Sequence, residues 1–219
     1  MSGYDLLAGV RVLEVAALGP SGLGGYLADM GADVVKVEDA IGDGVRYAGN
    51  PAMGSPNGES LLHLRWNRGK KSIQLDLKAD RDRATFLQLV AKADVGIEGM
   101  RAGILDRLGF GFDDLRKVNP AIVFTSISGL GSYGPYAEMG SHGPSFDAFG
   151  ALSSVNPYAL TKAERAKSNV TPVGMHAMGL YAALGTLAAV IKARATGEGS
   201  RVEVAAADCA AQGCRRWRC

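Results

Sequence analysis

The sequence predicts an α/β fold, a doubly wound and mostly parallel sheet with helices on both faces. Three observations carry that prediction. Residues 10–38, VRVLEVAALGPSGLGGYLADMGADVVKVE, read as strand, glycine-rich turn, helix and second strand within one short unit. The first of these strands, with Val10, Val12, Leu13 and Val15, is mostly apolar, as a strand covered on both faces must be. Strand and helix patterns then alternate as far as residue 131, which is the pattern of parallel strands joined by crossover helices.

Taken in order, Pro20 opens the first helix, where a missing N–H costs nothing, and Gly31 after Met30 stops it. The glycines of this unit invite a dinucleotide-binding reading, with Glu38 as the acid for a ribose hydroxyl. Their spacing argues otherwise: Gly19, Gly22, Gly24 and Gly25, with Pro20 inside the turn, do not form G-x-G-x-x-G. Gly24 and Gly25 are instead expected to let the helix pack closely on the sheet. Residues 39–60, rich in Gly, Pro, Asn and Ser, predict a long loop. A basic turn at 67–71 leads into a strand at 72–77, where Ile73, Leu75 and Leu77 alternate with polar residues. A helix over 80–93, a short strand in ADVGIEGM, helical pieces at 101–108 and 112–118, and a buried strand in AIVFTSISGLG follow. Residues 131–172 read as loop with one apolar patch, FDAFGAL. The longest helical signal, 175–195, has a broad apolar face, and TGEG ends it before a last strand, SRVEVAAA. Ligands on such a sheet sit at the carboxyl ends of the strands, here the loops after Val15, Glu38, Glu98 and Ser128.

Composition narrows the function classes. With 219 residues, 47% apolar and 21% charged, the chain has a normal globular composition and is expected to form one domain over 1–208. The formal charge of +2 rests on Arg215, Arg216 and Arg218; without them 21 basic residues face 22 acidic ones. A nucleic-acid footprint is therefore not expected. No run of eighteen apolar residues predicts a membrane span, and no basic-then-apolar leader is evident, so a soluble cytoplasmic protein is expected. Cys209, Cys214 and Cys219 fit no common zinc spacing, so no metal is expected, and residues 209–219 read as an atypical basic Cys/Arg tail.

Five stretches in order resemble one family: LAGVRVLEVA, LADMGADVVKVE, NRGKKSIQLDLK, RAGILDRLGFGFDDLRKVNPAIVFTSISGLGSYGPY and LAAVIKARATGEGSRVEVA. Together they span residues 7 to about 208 and resemble the N-terminal portion of the family III CoA-transferases. This CaiB/BaiF group includes formyl-CoA transferase, carnitine CoA-transferase and the α-methylacyl-CoA racemases. The resemblance implies a large α/β domain that binds acyl-CoA and works on a carboxylic acid. It also implies a second, smaller domain and a returning segment that this sequence lacks, and an interlocked homodimer or a complementing CoA-transferase chain.

By the same resemblance Arg101 and Arg107 approach the CoA phosphates, a role that suits paired guanidinium groups. Val15, Ala16, Ala17 and Lys36 border the nucleotide. Members of the family use an aspartate that attacks the thioester to give a mixed anhydride and then an aspartyl-CoA thioester; that position falls on Met175. Methionine cannot attack an acyl carbon. His142, near the acid/base histidine of the racemases, His176 and the carboxylate of Asp147 are the remaining catalytic candidates. Three readings stay open: a CoA-transferase that is incomplete or impaired, a silent acyl-CoA-binding protein, and a racemase-like enzyme.

Overall fold

The computed structural model describes residues 5–47, 60–152 and 172–213. Six strands form one wholly parallel sheet: β1 (Arg11–Ala16), β2 (Asp33–Glu38), β3 (Lys71–Gln74), β4 (Val95–Gly99), β5 (Val123–Ser128) and β6 (Ser200–Ala205). Their order across the sheet is β3-β2-β1-β4-β5-β6. The chain winds outward from β1 in one direction and then restarts at β4 in the other, so the loops after β1 and β4 part from each other and leave a crevice. The doubly wound expectation is met.

Alternation along each strand sends side chains to two separate cores. On one face, Val12 of β1, Ile97 of β4 and Ile127 of β5 pack under α1 (Ser21–Asp29) and α7 (Val173–Thr196), with Leu23, Leu27, Met178 and Ala182 facing them. On the other, Leu13, Val15 and Phe124 pack under α3 (Asp80–Val90), α4 (Ile104–Arg107) and α5 (Phe112–Val118) through Phe86, Leu105, Phe110 and Leu115. Burial of both faces suits the mostly apolar β1, while β5 is wholly buried although it carries Thr125, Ser126 and Ser128. Thr125 of β5 and Thr186 of α7 share a buried hydrogen bond of 2.7 Å that pins the long helix to the sheet.

Three elements differ from the sequence reading. Residues 61–66, to which the sequence assigns no element, and Asn67 of the expected turn form helix α2 (Leu61–Asn67), capped by the Ser60 hydroxyl accepting from the Leu62 amide. The FDAFGAL patch lies in helix α6 (Gly143–Phe149), with Pro144 in its first turn. The last strand stops at Ala205, and helix α8 (Ala206–Ala211) packs Ala206 and Cys209 into the first core. Residues 209–211 therefore belong to the packed domain. Burial also pushes the Cys209 thiol up to about 11, so it stays protonated and inert. Cys214, Cys219 and the three terminal arginines lie outside the described residues, as do residues 48–59 and 153–171 of the two expected loops.

By length and composition α7 is apolar enough to cross a bilayer, yet it lies along the sheet against α1, β5, β6 and α8. Its outward face is uncovered among the described residues: Leu180 is 56% exposed, Leu184 71% and Ile191 70%.

Replacing Thr186 by Val strands the Thr125 hydroxyl in the core and is expected to cost about 2 kcal/mol in urea denaturation. The double variant Thr125→Val/Thr186→Val should recover most of that loss, because neither side then carries an unpaired polar group.

Candidate functional site

The crevice opens at the carboxyl ends of β1, β4 and β5. It is a cavity of about 510 Å³ walled by residues 17–20 after β1, 99–102 after β4, 127–130 at the end of β5 and the segment 137–143. Phe146, Met175 and Met178 close its floor. Local backbone chemistry shapes it. Leu18 takes a left-handed φ of 56°, which turns the chain sharply into α1. Gly19 leaves room for Met175: a Cβ there would sit 2.7 Å from Met175 Cγ. That glycine serves a close approach between the turn and α7, and the dinucleotide reading is not needed to explain it.

Ala17, Arg101, His142 and Met175 line this one cavity, so four of the residues singled out in the sequence converge. Val15 and Ala16 are buried at the end of β1 just beneath it. Arg107 ends α4, outside the lining, with its guanidinium against Gly103. It remains on the same β4–α4 segment as Arg101.

Three candidates are engaged elsewhere. Lys36 is 2% exposed and bonds to Glu14, Asp43, the Ser21 hydroxyl and the Ala16 carbonyl. It supports the wall from behind and does not border the cavity. Asp147 accepts hydrogen bonds from the Val173 and Gly174 amides at 2.9 and 2.7 Å, which occupies its carboxylate as the cap of α7. His176 points to the other side of α7, where its ring stacks on Trp66 at 5.2 Å. Burial and the nearby Arg65 cation push its pKa down, so it is neutral at pH 7, and its Nδ1 has no partner among the described residues.

The buried network around Lys36 was not anticipated. Glu14, fully buried, sits between Lys36 and Lys70, at 3.2 and 2.8 Å. Burial pulls the Lys70 ammonium down to about 8, and Glu14 opposes that shift. Gly24 exists for this contact, since a Cβ there would lie 2.0 Å from Glu14 Oε2. Gly25 lies instead against Arg68 and the Trp66 carbonyl of the α2 segment. Glu38 is held by Arg46 through two hydrogen bonds of 2.8 and 2.7 Å, by the Ser72 hydroxyl and by the Asp43 amide. No acceptor is left over for a ribose.

Two further residues matter at the cavity. Ser128 ends β5 in its wall, and its hydroxyl is buried without a partner among the described residues. The sequence marked the loop after it but not the side chain. Glu98, 1% exposed, accepts from the Leu105 amide and the Ser126 hydroxyl, tying the Arg101 loop to β5; burial pushes its carboxyl up. Among the described residues no group of three or more His, Cys, Asp or Glu is placed to hold a metal.

The sheet order and the cavity at its reversal define a doubly wound α/β domain. Comparison with known proteins gives its family: a profile of CoA-transferase family III matches residues 7–217, and the chain belongs to that family. It is 35% identical over 207 residues to succinate–glutarate CoA-transferase of Agrobacterium fabrum, covering 92% of this chain and 51% of the relative. It is 32% identical to cinnamoyl-CoA:phenyllactate CoA-transferase of Clostridium sporogenes, covering 91% and 48%. Among solved structures, a CaiB/BaiF family protein from Brucella suis superposes with a TM-score of 0.82 at 32% identity, covering 93% of this chain and 54% of that one. Rv3272 from Mycobacterium tuberculosis does so with a TM-score of 0.80 at 29% identity, covering 93% and 56%. The chain thus spans about half the length of the curated relatives it matches.

Acid should expose the Glu38 contacts. The Arg46 hydrogen bonds, with those from Ser72 and Asp43, outweigh the cost of burial and hold its carboxyl at about 2, against an ordinary value of 4.5. Between those values the unfolded chain binds more protons than the native one. The stability from this group is thus full above about pH 4.5 and lost as pH falls toward 2. Thermal unfolding across that window should show a shallower fall for Glu38→Gln than for the wild type.

Proposed function

We propose that this chain is the acyl-CoA-binding part of a family III CoA-transferase, and that it holds the thioester in the cavity at the β1–β4 crevice. The observation that carries this reading is the convergence of Ala17, Arg101, His142 and Met175 on a single cavity at the reversal of strand order. Arg101 supplies a cation for a phosphate of CoA, with Arg107 one short helix away. The Ser128 hydroxyl, without a partner among the described residues, is a hydrogen-bond donor for a carbonyl of the ligand. The relatives move CoA between carboxylic acids, and the substrates of this chain are taken to be an acyl-CoA and an acid.

Covalent transfer through position 175 does not run in this chain. The attack on a thioester needs an oxygen nucleophile, and Met175 places a thioether on the cavity floor where the family places its aspartate. Asp147 cannot stand in, because two amides of α7 hold its carboxylate. Racemisation fares no better: it requires two groups to remove and return a proton, and His142 is one. The reading supported best is therefore binding of the CoA thioester without turnover at this site. The uncovered apolar face of α7 favours association, with a second copy or with a complementing CoA-transferase chain.

Calorimetry with CoA tests the binding. The wild type should bind CoA, and Arg101→Ala should weaken it about tenfold, the worth of a charge-assisted phosphate contact. An absence of any binding heat or shift in melting temperature with CoA would reject the reading.

Intact-mass spectrometry after incubation with an acyl-CoA tests the chemistry. The wild type should remain unmodified. Met175→Asp, which restores the nucleophile, should accumulate an acyl or CoA adduct when a complementing chain is supplied. An adduct on the wild type would contradict the assignment.

A further inference from the structure

The chemistry of the cavity wall points to the kind of acyl group it takes. Four methionines, Met100, Met139, Met175 and Met178, converge there with Phe146 and Leu130. In a cavity built to receive a second carboxylate, a spare cation or a cluster of unpaired donors would face the far end of the acyl chain, because a charge taken out of water must be paired. Among the described residues Arg101 is the one lining side chain with a permanent charge. It stands on the loop after β4 with its guanidinium toward Gly140, at one side of the cavity. Committed to a phosphate of CoA, it leaves no fixed charge for a second anion among the described lining residues.

Methionine side chains are unbranched and polarisable, so they adapt to hydrocarbon and aromatic shapes and gain from sulfur–ring contacts. Met175 on the floor acts in the same direction, because it presents apolar surface and no donor or cation to a second carboxylate. Met139 is 42% exposed and sits at the mouth, whereas Met178 is 1% exposed and forms the deepest part of the floor.

We propose that this cavity selects acyl-CoA thioesters whose acyl group is uncharged and apolar, aliphatic or aromatic, over those that carry a second carboxylate. This inference rests on the reading that the cavity binds a CoA thioester at all, and the two can be tested apart.

The full chain is titrated with free CoA, acetyl-CoA, hexanoyl-CoA, benzoyl-CoA and succinyl-CoA. Affinity should rise from acetyl- to hexanoyl-CoA by up to about fourfold per methylene buried, at about 0.8 kcal/mol each. Benzoyl-CoA should bind at least tenfold more tightly than free CoA, and succinyl-CoA no more tightly than free CoA. Met139→Arg at the exposed rim should reverse the order, raising affinity for succinyl-CoA and lowering it for hexanoyl-CoA. Binding of free CoA with a flat series, or with succinyl-CoA tightest, overturns the selectivity and leaves the CoA site intact. Failure of every thioester and of free CoA overturns both.

Discussion

The fully buried carboxylate of Glu14 organises this domain. A charge taken out of water is tolerated only when it is paired and its remaining lone pairs are used, and here two ammonium groups do both. The consequences spread through the sheet. Lys36 brings β2 to β1, Lys70 brings the turn before β3 to both, and Gly24 is required so that α1 can close over the carboxylate. Asp43 and Ser21 complete the set from the segment after β2 and from the first turn of α1. The same Lys36 ammonium donates to the Ala16 carbonyl, the last residue of β1 before the cavity. An electrostatic cluster on one side of the wall thus fixes where the chain turns on the other.

That turn defines the cavity. Leu18 and Gly19 leave β1 sharply, Met175 fills the space a larger residue at 19 would occupy, and Asp147 holds the end of α7 that carries Met175. Glu98 does for the β4 loop what Lys36 does for the β1 loop, tying it through an amide and a hydroxyl to neighbouring elements. Buried polar groups therefore position the walls, while apolar and sulfur-bearing side chains present the surface that a ligand meets. Rigid supports of high electrostatic cost thus sit behind a lining that adapts.

How far the sequence disclosed this depends on the range of each interaction. β1, α1, β2, β4, β5 and α7 were legible because local periodicity and glycine or proline punctuation are written within ten to twenty residues. Helix α2 was missed because Leu61, Leu62 and Leu64 are exposed, so its apolar residues trace no buried stripe; the Ser60 cap was the signal that could have found it. Helix α6 was hidden by Gly143 and Pro144, which read as loop but sit at its start. The family resemblance places Lys36 beside the nucleotide. Its partners in the fold are Glu14, Ala16, Ser21 and Asp43, brought together from β1, α1 and the segment after β2, and no local pattern reports them. Asp147 likewise joins an amide twenty-seven residues away. Ser128 ends the strand before a loop that the sequence marked, but whether a hydroxyl is paired is a property of the packed structure.

Binding of a CoA thioester in the crevice between the β1 and β4 loops is the proposal on which the other readings rest. Its most direct test is a crystal structure of the full chain with a non-hydrolysable CoA thioether. The account predicts ligand density inside the cavity, against Arg101, with the acyl chain over Met175 and Phe146. Density at the opposite end of the sheet, in the polar cleft beside Arg11, Lys92 and Arg194, with the crevice empty, would contradict it.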